Sequence, residues 1–467
     1  MKIKIQVVIE SDDGHVEDVE EVACLKRGML TAEELGLNLA EAKEILYNVQ
    51  HSMLGLQVAE YQAQRKNCAH CGKAQSQKGR HDIVFRTLFG KFNLPSVRLY
   101  RCDCQEVAEK TFSPLAELLQ ERTAPELLYL EAKWCTLLFF GVSADLLQEV
   151  LPVGAELNTV SLRNNLHKVA GRIEAELGEE RVSFLDAGPE PKAKDPIPAA
   201  KPPLTLGLDG AYVHAGGRAG WFEVIVGKSV TPAGEGKYVA FVHNYDDKPK
   251  RRLYEVLKSQ GWQPDQPVRF LSDGGDTVRK LQLWLSQQSE HLLDWFHVTM
   301  RLTVMGQLRR GMPGVEAEAL LEQVEKDLES VKWHLWNGNV DQALELIDGL
   351  TVQLAGEQTS TSAARQKLLK AVREFGAYIA ANQAFIPDYG DRYRNHETIT
   401  TAFVESAVNH LVSKRMIKQQ QMHWTQRGAH LLLQVRAQVL NGELRGTFTR
   451  WYPAMTPETK LPQPAPA

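Results

Sequence analysis

The sequence predicts a mixed α/β domain that carries an all-α insertion and follows a small α+β region and a helical module. Three observations predict it: a change from helical to strand patterning after residue 203, a long helical stretch that separates those strands from a last helix, and four cysteines in two close pairs near the N-terminus. At 467 residues, with 43% hydrophobic and 24% charged residues, the chain is long enough for several cores and has the make-up of a folded globular protein.

In order, Ile3, Ile5, Val7 and Ile9 alternate as in a strand, and an amphipathic pattern from about Leu39 to Arg65 reads as a helix, together filling residues 1–66. Cys68-x-x-Cys71 and Cys102-x-Cys104 then bracket the strand-like HDIVFRTLFGKFNLPSVRLY. Four thiolates are what a tetrahedral structural Zn²⁺ requires, so residues 67–112 are expected to form a zinc ribbon, with His70 and His81 as bystanders. Cys24 and Cys135 lie in apolar surroundings and are expected to be buried, inert thiols. Residues 113–180 are helical in pattern, with breaks at Gly141 and from Pro152 to Gly154. Within them, a helix, a turn and a second helix opening at Asn158 or Thr159 fit a helix-turn-helix. It would offer Ser161, Arg163, Asn164, Asn165 and His167 to phosphates or base edges; the same pattern also suits a bundle with no DNA role. Residues 181–203, rich in Pro, Ala, Lys and Asp and without a hydrophobic period, read as an exposed linker.

Beyond the linker the patterns follow the order βββαβαβ, the element order of a ribonuclease-H-like fold, with 204–297 and 396–442 forming one catalytic domain around a helical insertion at 298–395. In the insertion, Leu321, Val324, Leu328, Val331 and Leu335 alternate three and four apart. That spacing suits either a coiled-coil partner face or, more simply, a helix packing inside the insertion. Between Glu316 and Glu357 ten acidic residues face two Lys or Arg, which makes this surface a poor bed for DNA. Residues 443–467 are expected to be a partly disordered tail.

In the strand LTLGLDG, Leu204, Leu206 and Leu208 share one face and Asp209 lies on the other at the carboxyl end; Asp273 sits likewise in VRFLSDGG. Strands one and four are neighbours in this fold, so the two carboxylates are expected to meet. Carboxylates so placed repel unless a cation neutralises them, and Mg²⁺ (or Mn²⁺), as two ions, suits a set of hard oxygen ligands. The third carboxylate is expected to be Glu405, on a helix whose Ile399, Ala402, Phe403, Ala407 and Leu411 can face the sheet; Glu397 is its rival. Downstream, Ser406–Gly442 holds five Lys or Arg, three His and no carboxylate, a local basic surface despite the net charge of −4.

These residues resemble the DDE transposases of bacterial insertion sequences, of the ISKra type in the mutator-like branch. LGLDGAYV, FLSDGGD, LLDWFHV and the segment from Phe403 to Ala437 carry the resemblance, which spans nearly the whole chain. It implies Asp209, Asp273 and Glu405 as catalytic metal ligands. It further implies that Asp294 and His297, as a D-x-x-H signature, support the site from behind, and that a helical insertion separates Asp273 from Glu405. DNA contacts are expected at Arg163, Asn164, His167, Lys414, Arg415, Lys418, His423, Trp424 and Arg427, with Trp424 either stacking on a base or packed in a core. The function implied is phosphodiester hydrolysis and strand transfer at the inverted repeats of a mobile element; the alternatives are an inactive DNA-binding descendant and a structure-selective nuclease. The partners implied are double-stranded DNA and a second copy of the chain, because two ends must be joined. No apolar run approaches the roughly 18 residues of a membrane span and the N-terminus lacks signal-peptide features, so a cytoplasmic, nucleoid-associated protein is expected.

Overall fold

The computed structural model describes residues 1–10, 16–28, 31–104, 108–154, 157–179, 204–216, 220–263, 266–285, 289–312, 318–356, 362–417 and 423–455. The expected linker 181–203 and Lys418 lie outside the described residues. The chain divides into two compact units, Met1–Val169 with Gly442–Ala467, and Ala170–Asn441. None of the described helices is long and apolar enough to cross a membrane.

In the first unit, β1 (Lys2–Glu10) and β2 (Val16–Lys26) form an antiparallel pair. The 26-residue helix α1 (Leu39–Gln64) opens on a capping box: Asn38 accepts from the Glu41 amide and the Glu41 carboxylate accepts from the Asn38 amide. Its Leu54 and Val58 pack on Phe92 and Leu94 of β4 (Gly90–Tyr100), which pairs with β3 (Gln77–Thr87) and with the short β5 (Thr111–Phe112). Four helices follow: α2 (Pro114–Leu118), α3 (Pro125–Leu137), α4 (Phe140–Val150) and α5 (Thr159–Leu177), the last running into the second unit from Ala170. The break expected at Gly141 falls before Phe140, where Phe139 adopts an extended conformation, so Gly141 lies inside the first turn of α4. Helix α5 opens where the sequence places it, with the Asn158 side chain accepting from the Ser161 amide. Cys135 is buried as expected, but Cys24 is exposed, because β2 belongs to a two-stranded ribbon that leaves one face uncovered.

The expected tail contains a further helix, α15 (Leu444–Trp451). Its Phe448 is buried edge-on against Tyr129 of α3, ring centroids 5.5 Å apart, and Arg445 forks onto Glu126 at 2.7 and 2.8 Å. Periodicity over so short a segment is weak, and only the docking on α3 makes it worth ordering.

In the second unit, β6 (Leu204–His214), β7 (Trp221–Val230) and β8 (Gly236–Val242) run antiparallel, while β9 (Val268–Ser272) and β10 (Glu290–Leu293) add in parallel on the other side. The sheet order is β10-β9-β6-β7-β8, so the first and fourth strands of this unit are neighbours, as the sequence predicts. Leu204, Leu206, Leu208, Val268 and Phe270 face α6 (Pro249–Lys258) and α7 (Asp276–Leu285) through Leu253, Leu257, Val278 and Leu281. The all-α insertion comprises α8 (Trp295–Arg310), α9 (Glu318–Trp336), α10 (Val340–Ala355), α11 (Ala363–Ala381) and the short α12 (Tyr389–Arg394). Val324, Leu328, Val331 and Leu335 are buried in its core with Leu350, Val372 and Phe375, so the stripe on α9 is an interior face. The chain then returns to the sheet through α13 (Ala402–Val408), which continues as a π-helix over Asn409–Ile417, and through α14 (Gln426–Leu440).

One buried charge in the first unit has a measurable consequence. Glu131 on α3 is fully buried, receives the Asn165 amide of α5 at 2.6 Å on one oxygen and leaves the other without a hydrogen-bond partner. Burial pushes its carboxyl up to about 7. A raised folded-state pKa means stability that is full below the unfolded value and is lost as pH climbs through the folded one. Glu131→Gln should therefore match the parent near pH 4 and exceed it by ~3 kcal/mol near pH 8, read by hydrogen exchange in α3 and α5. A difference independent of pH would show that Glu131 is not protonated in the fold.

Candidate active site

The sheet register aligns three aspartates. Gly207 of β6 pairs with Leu271 of β9, and Leu271 pairs with Leu292 of β10, so these three residues form one row on one face of three parallel strands. Two residues further along each strand direction come Asp209, Asp273 and Asp294; Asp273 and Asp294 directly follow β9 and β10, whereas Asp209, expected at a strand end, lies inside β6, which runs on to His214 paired with β7. Two rows back, Arg269 and Glu290 are paired in register and bonded at 3.0 Å, which confirms the shared face.

The three are not equivalent. Asp273 and Asp209 are half-buried, whereas Asp294 is fully buried and wholly engaged. Its Oδ1 accepts from the amides of Phe296 and Thr401, each at 2.9 Å; its Oδ2 takes the Thr401 hydroxyl and lies 2.5 Å from His297 Nδ1. One carboxylate thus caps α8, fixes the His297 ring and pins the residue that precedes α13.

The loop after β9 is held from the insertion. Gly274 has φ +86°, a conformation that favours glycine, and a side chain there would strike Asn382. The Tyr378 hydroxyl donates to the Asp273 carbonyl at 3.0 Å, and the Gly275 amide donates to Asp273 Oδ1 at 2.9 Å.

Electrostatics follow from this crowding. Burial raises the Asp209 carboxyl; His297 and the Gly210 amide pull it down, and the charges of Asp273 and Asp294 push it up, for a net rise. For His297 burial alone would lower the pKa, but the bond to Asp294 and the charges of Asp294, Asp209 and Asp273 outweigh it, and the pKa is raised. Among the described residues the imidazolium is the cation that acts most strongly on Asp209, one charge against three carboxylates. Oxygen-only donors with excess negative charge fit a hard divalent cation.

Glu405 is exposed on α13 and is not among the charges that act chiefly on Asp209 or His297. The helix nevertheless lies on the right face: a Cβ at Gly207 would collide with Val404 and the Phe403 ring, so the glycine lets α13 cross β6 two residues before Asp209. Val404, Ala407 and Leu411 are buried there, whereas Ala402, expected to face the sheet, is exposed, because α13 begins only at that residue and widens into a π-helix at Asn409. Glu397, the rival, is occupied by Arg392 and Arg269, both at 2.9 Å, in a network completed by Glu290.

Of the expected DNA contacts, Arg163, Asn164, Lys414, His423 and Arg427 are exposed or partly so, and His167 is half-buried. Asn165 is tied to Glu131. Arg415 is 1% exposed and lies over the Trp424 ring at 5.4 Å, and Trp424 is itself buried, its backbone paired with β6 through His214 and Gly216. That resolves Trp424 as a core residue and withdraws Arg415 from the surface. His423 lies against His214, Nδ1 to Nδ1 2.9 Å.

Among the described residues, two groups of metal-type ligands gather within 4.8 Å, and the expected carboxylate triad is not one of them. The first is Cys68, Cys71, Cys102 and Cys104, with Sγ separations of 3.6 Å (Cys68–Cys104) and 3.3 Å (Cys71–Cys102). The Gly72 amide donates to the Cys68 carbonyl and the Cys68 amide to that of Lys73, a tight knuckle that needs Gly72 at φ +74°. Amides of Cys71 and His70 draw the Cys68 thiol down to about 6. A tetrahedral Zn²⁺ with ~2.3 Å bonds requires thiolates at about this spacing, so the cluster could bind zinc. The second group, Glu174, Asp246 and His430, leaves no signal in the sequence, since its members lie far apart along the chain. It already encloses a cation: Arg252 bonds both oxygens of Glu174 at 2.9 and 3.0 Å and both of Asp246 at 2.9 and 3.0 Å. Burial would raise Glu174, but His430 and Arg252 hold it down at about 2.

Purified chain should carry about one zinc, and Cys71→Ser with Cys102→Ser should lose it and speed hydrogen exchange in β3 and β4 while β6 and β9 stay protected. Retention of zinc by that variant would reject the four-thiolate site.

No family model matches the chain, and none of the curated proteins matches it. Among solved structures the chain is similar to the Drosophila P element transposase strand transfer complex, at 10% identity over 69% of this chain and 93% of that chain, with a TM-score of 0.31.

Proposed function

We propose that the chain is a DNA transposase of the acidic, metal-dependent kind its sequence resembles, with Asp209, Asp273 and Glu405 as metal ligands. The observation that carries the reading is that Asp209, Asp273 and Asp294 come two residues after the register row Gly207, Leu271 and Leu292 of three adjacent parallel strands and act on one another's charge; the two half-buried members keep carboxylate oxygens for a ligand and the fully buried third builds the frame. When bound, two Mg²⁺ ions would supply nucleophile activation and stabilise the leaving oxygen of an in-line phosphoryl displacement. The chain's own residues do the rest. Asp294 orients His297 and raises its pKa, favouring the form in which a phosphodiester oxygen gaining charge near Asp209 meets an N–H donor. Tyr378 and Asn382 hold the loop that carries Asp273, and Gly207 admits the helix that carries Glu405. Lys414, His423 and Arg427 supply phosphate contacts downstream of Glu405, and Arg163 and Asn164 on α5 supply them in the first unit. The four-cysteine cluster takes a structural zinc in this reading, and double-stranded DNA and a second copy of the chain are the partners.

The test uses duplex DNA enriched for binding from a random pool, incubated with the chain and Mg²⁺ or Mn²⁺. Strand nicking followed by joining of the freed 3′-hydroxyl to target DNA is expected, and Asp209→Asn or Asp273→Asn should each slow it at least ~1,000-fold with binding changed by less than about threefold. Specific binding without any phosphodiester breakage would sink the enzymatic reading, and cleavage without joining would leave a nuclease. Glu405→Gln at parental rate would remove Glu405 from the site and leave the two aspartates.

A further inference from the structure

One face of α1 carries a seam of which four residues are exposed and two, Ala42 and Val49, are half-buried. Leu39, Ala42, Leu46, Val49, Met53 and Leu56 recur at alternating steps of three and four, the heptad spacing, along this 26-residue helix. Leu39, Leu46, Met53 and Leu56 are 51%, 39%, 47% and 42% exposed. The opposite side of the same helix is already used, since Leu54, Val58 and Gln62 are buried and Gln62 bonds Pro95 and Val97 of β4; Ser52, beside the seam, is buried as well. A helix that packs on one side normally shows polar residues on the other. This one is apolar on both, over about 26 Å of length.

We infer that α1 pairs with α1 of a second copy of this chain as a short antiparallel coiled coil. Residue sizes choose both the occupant and the direction. Antiparallel pairing about the middle of the seam sets Leu39 against Leu56, Ala42 against Met53 and Leu46 against Val49, so that each small side chain meets a larger one and a two-fold axis returns the same contacts. Parallel pairing would stack Ala42 on Ala42, leaving a gap, and would bring Glu60, the next residue of the heptad, against its own copy. Charge permits the approach: Gln50, Gln57, Ile45 and Ala59 flank the seam, and Lys43 is turned away onto the Gln148 carbonyl at 2.7 Å. The pairing stands apart from the chemistry of the carboxylate row, so a chain that cleaves no DNA would still pair.

Light scattering on the full chain at about 10 μM should give the mass of two chains, and Leu46→Glu with Met53→Glu should weaken association by about 100-fold or more with an unchanged melting curve. If that variant fails to fold, Leu46→Ser with Met53→Ser decides, because both positions are exposed within one chain. Leu39→Lys and Leu56→Glu should each weaken self-association and regain it on mixing, since only antiparallel pairing brings Lys against Glu across the seam. A monomeric parent, a dimer unmoved by the seam substitutions, or singles that fail to recover on mixing would each overturn the inference.

Discussion

The second unit depends on one buried carboxylate. Asp294 takes two amides, a hydroxyl and an imidazole, and these partners hold three separate parts of the fold: the start of α8, the end of the segment that returns from the insertion, and the ring of His297. An unpaired carboxylate so deep would cost several kcal/mol, and full engagement turns that liability into a geometric constraint. The insertion leaves the sheet at β10 and comes back at α13, about a hundred residues later. Asp294 joins the two ends directly, with the Trp295 amide on the Ile399 carbonyl as a second tie.

Close approach is the other constraint on that face. Gly207 and Gly274 are small for different reasons: the first because α13 passes over β6 at that point, the second because its backbone turns left-handed beside Asn382. Both flank aspartates. The sequence shows a glycine near each aspartate, but a turn residue and a packing requirement look the same in one dimension, and only the crossing of α13 separates them.

What the sequence reveals depends on whether a pattern is local. Strand alternation and the change of period after residue 203 are local, so the order βββαβαβ and the adjacency of the strands β6 and β9 are readable. Coverage is not local. Leu321 to Leu335 on α9 and Leu39 to Leu56 on α1 have the same spacing, yet the first stripe is interior, packed with α10 and α11, while Leu39, Leu46, Met53 and Leu56 of the second stay exposed. Arg415 and Trp424 reverse expectation for the same reason: a basic and aromatic pair in a cation-rich segment looks like a DNA contact until the π-helical stretch and the added bridge to β6 fold them against each other. Glu397 and Glu405 are hard to rank from sequence because ion pairs with Arg269 and Arg392 decide which of them is occupied, and Arg269 lies far off along the chain.

The two acidic groups of the second unit make the charge argument by contrast. Around Arg252, two carboxylates and a histidine enclose a guanidinium with five donors, and the result is a closed network in which Glu174 remains ionised far below neutral pH. Around Asp209 the carboxylates outnumber the cation. His297 has one nitrogen committed to Asp294, and the Asp209 carboxyl is raised, first by burial and then by the charges of Asp273 and Asp294. Buried carboxylates persist either because the protein supplies the counter-charge or because a ligand does. The first case describes Glu174 and Asp246. In the proposed reading the second describes Asp209 and Asp273, carried by two neighbouring parallel strands, where an incoming ion would bring its phosphate oxygens.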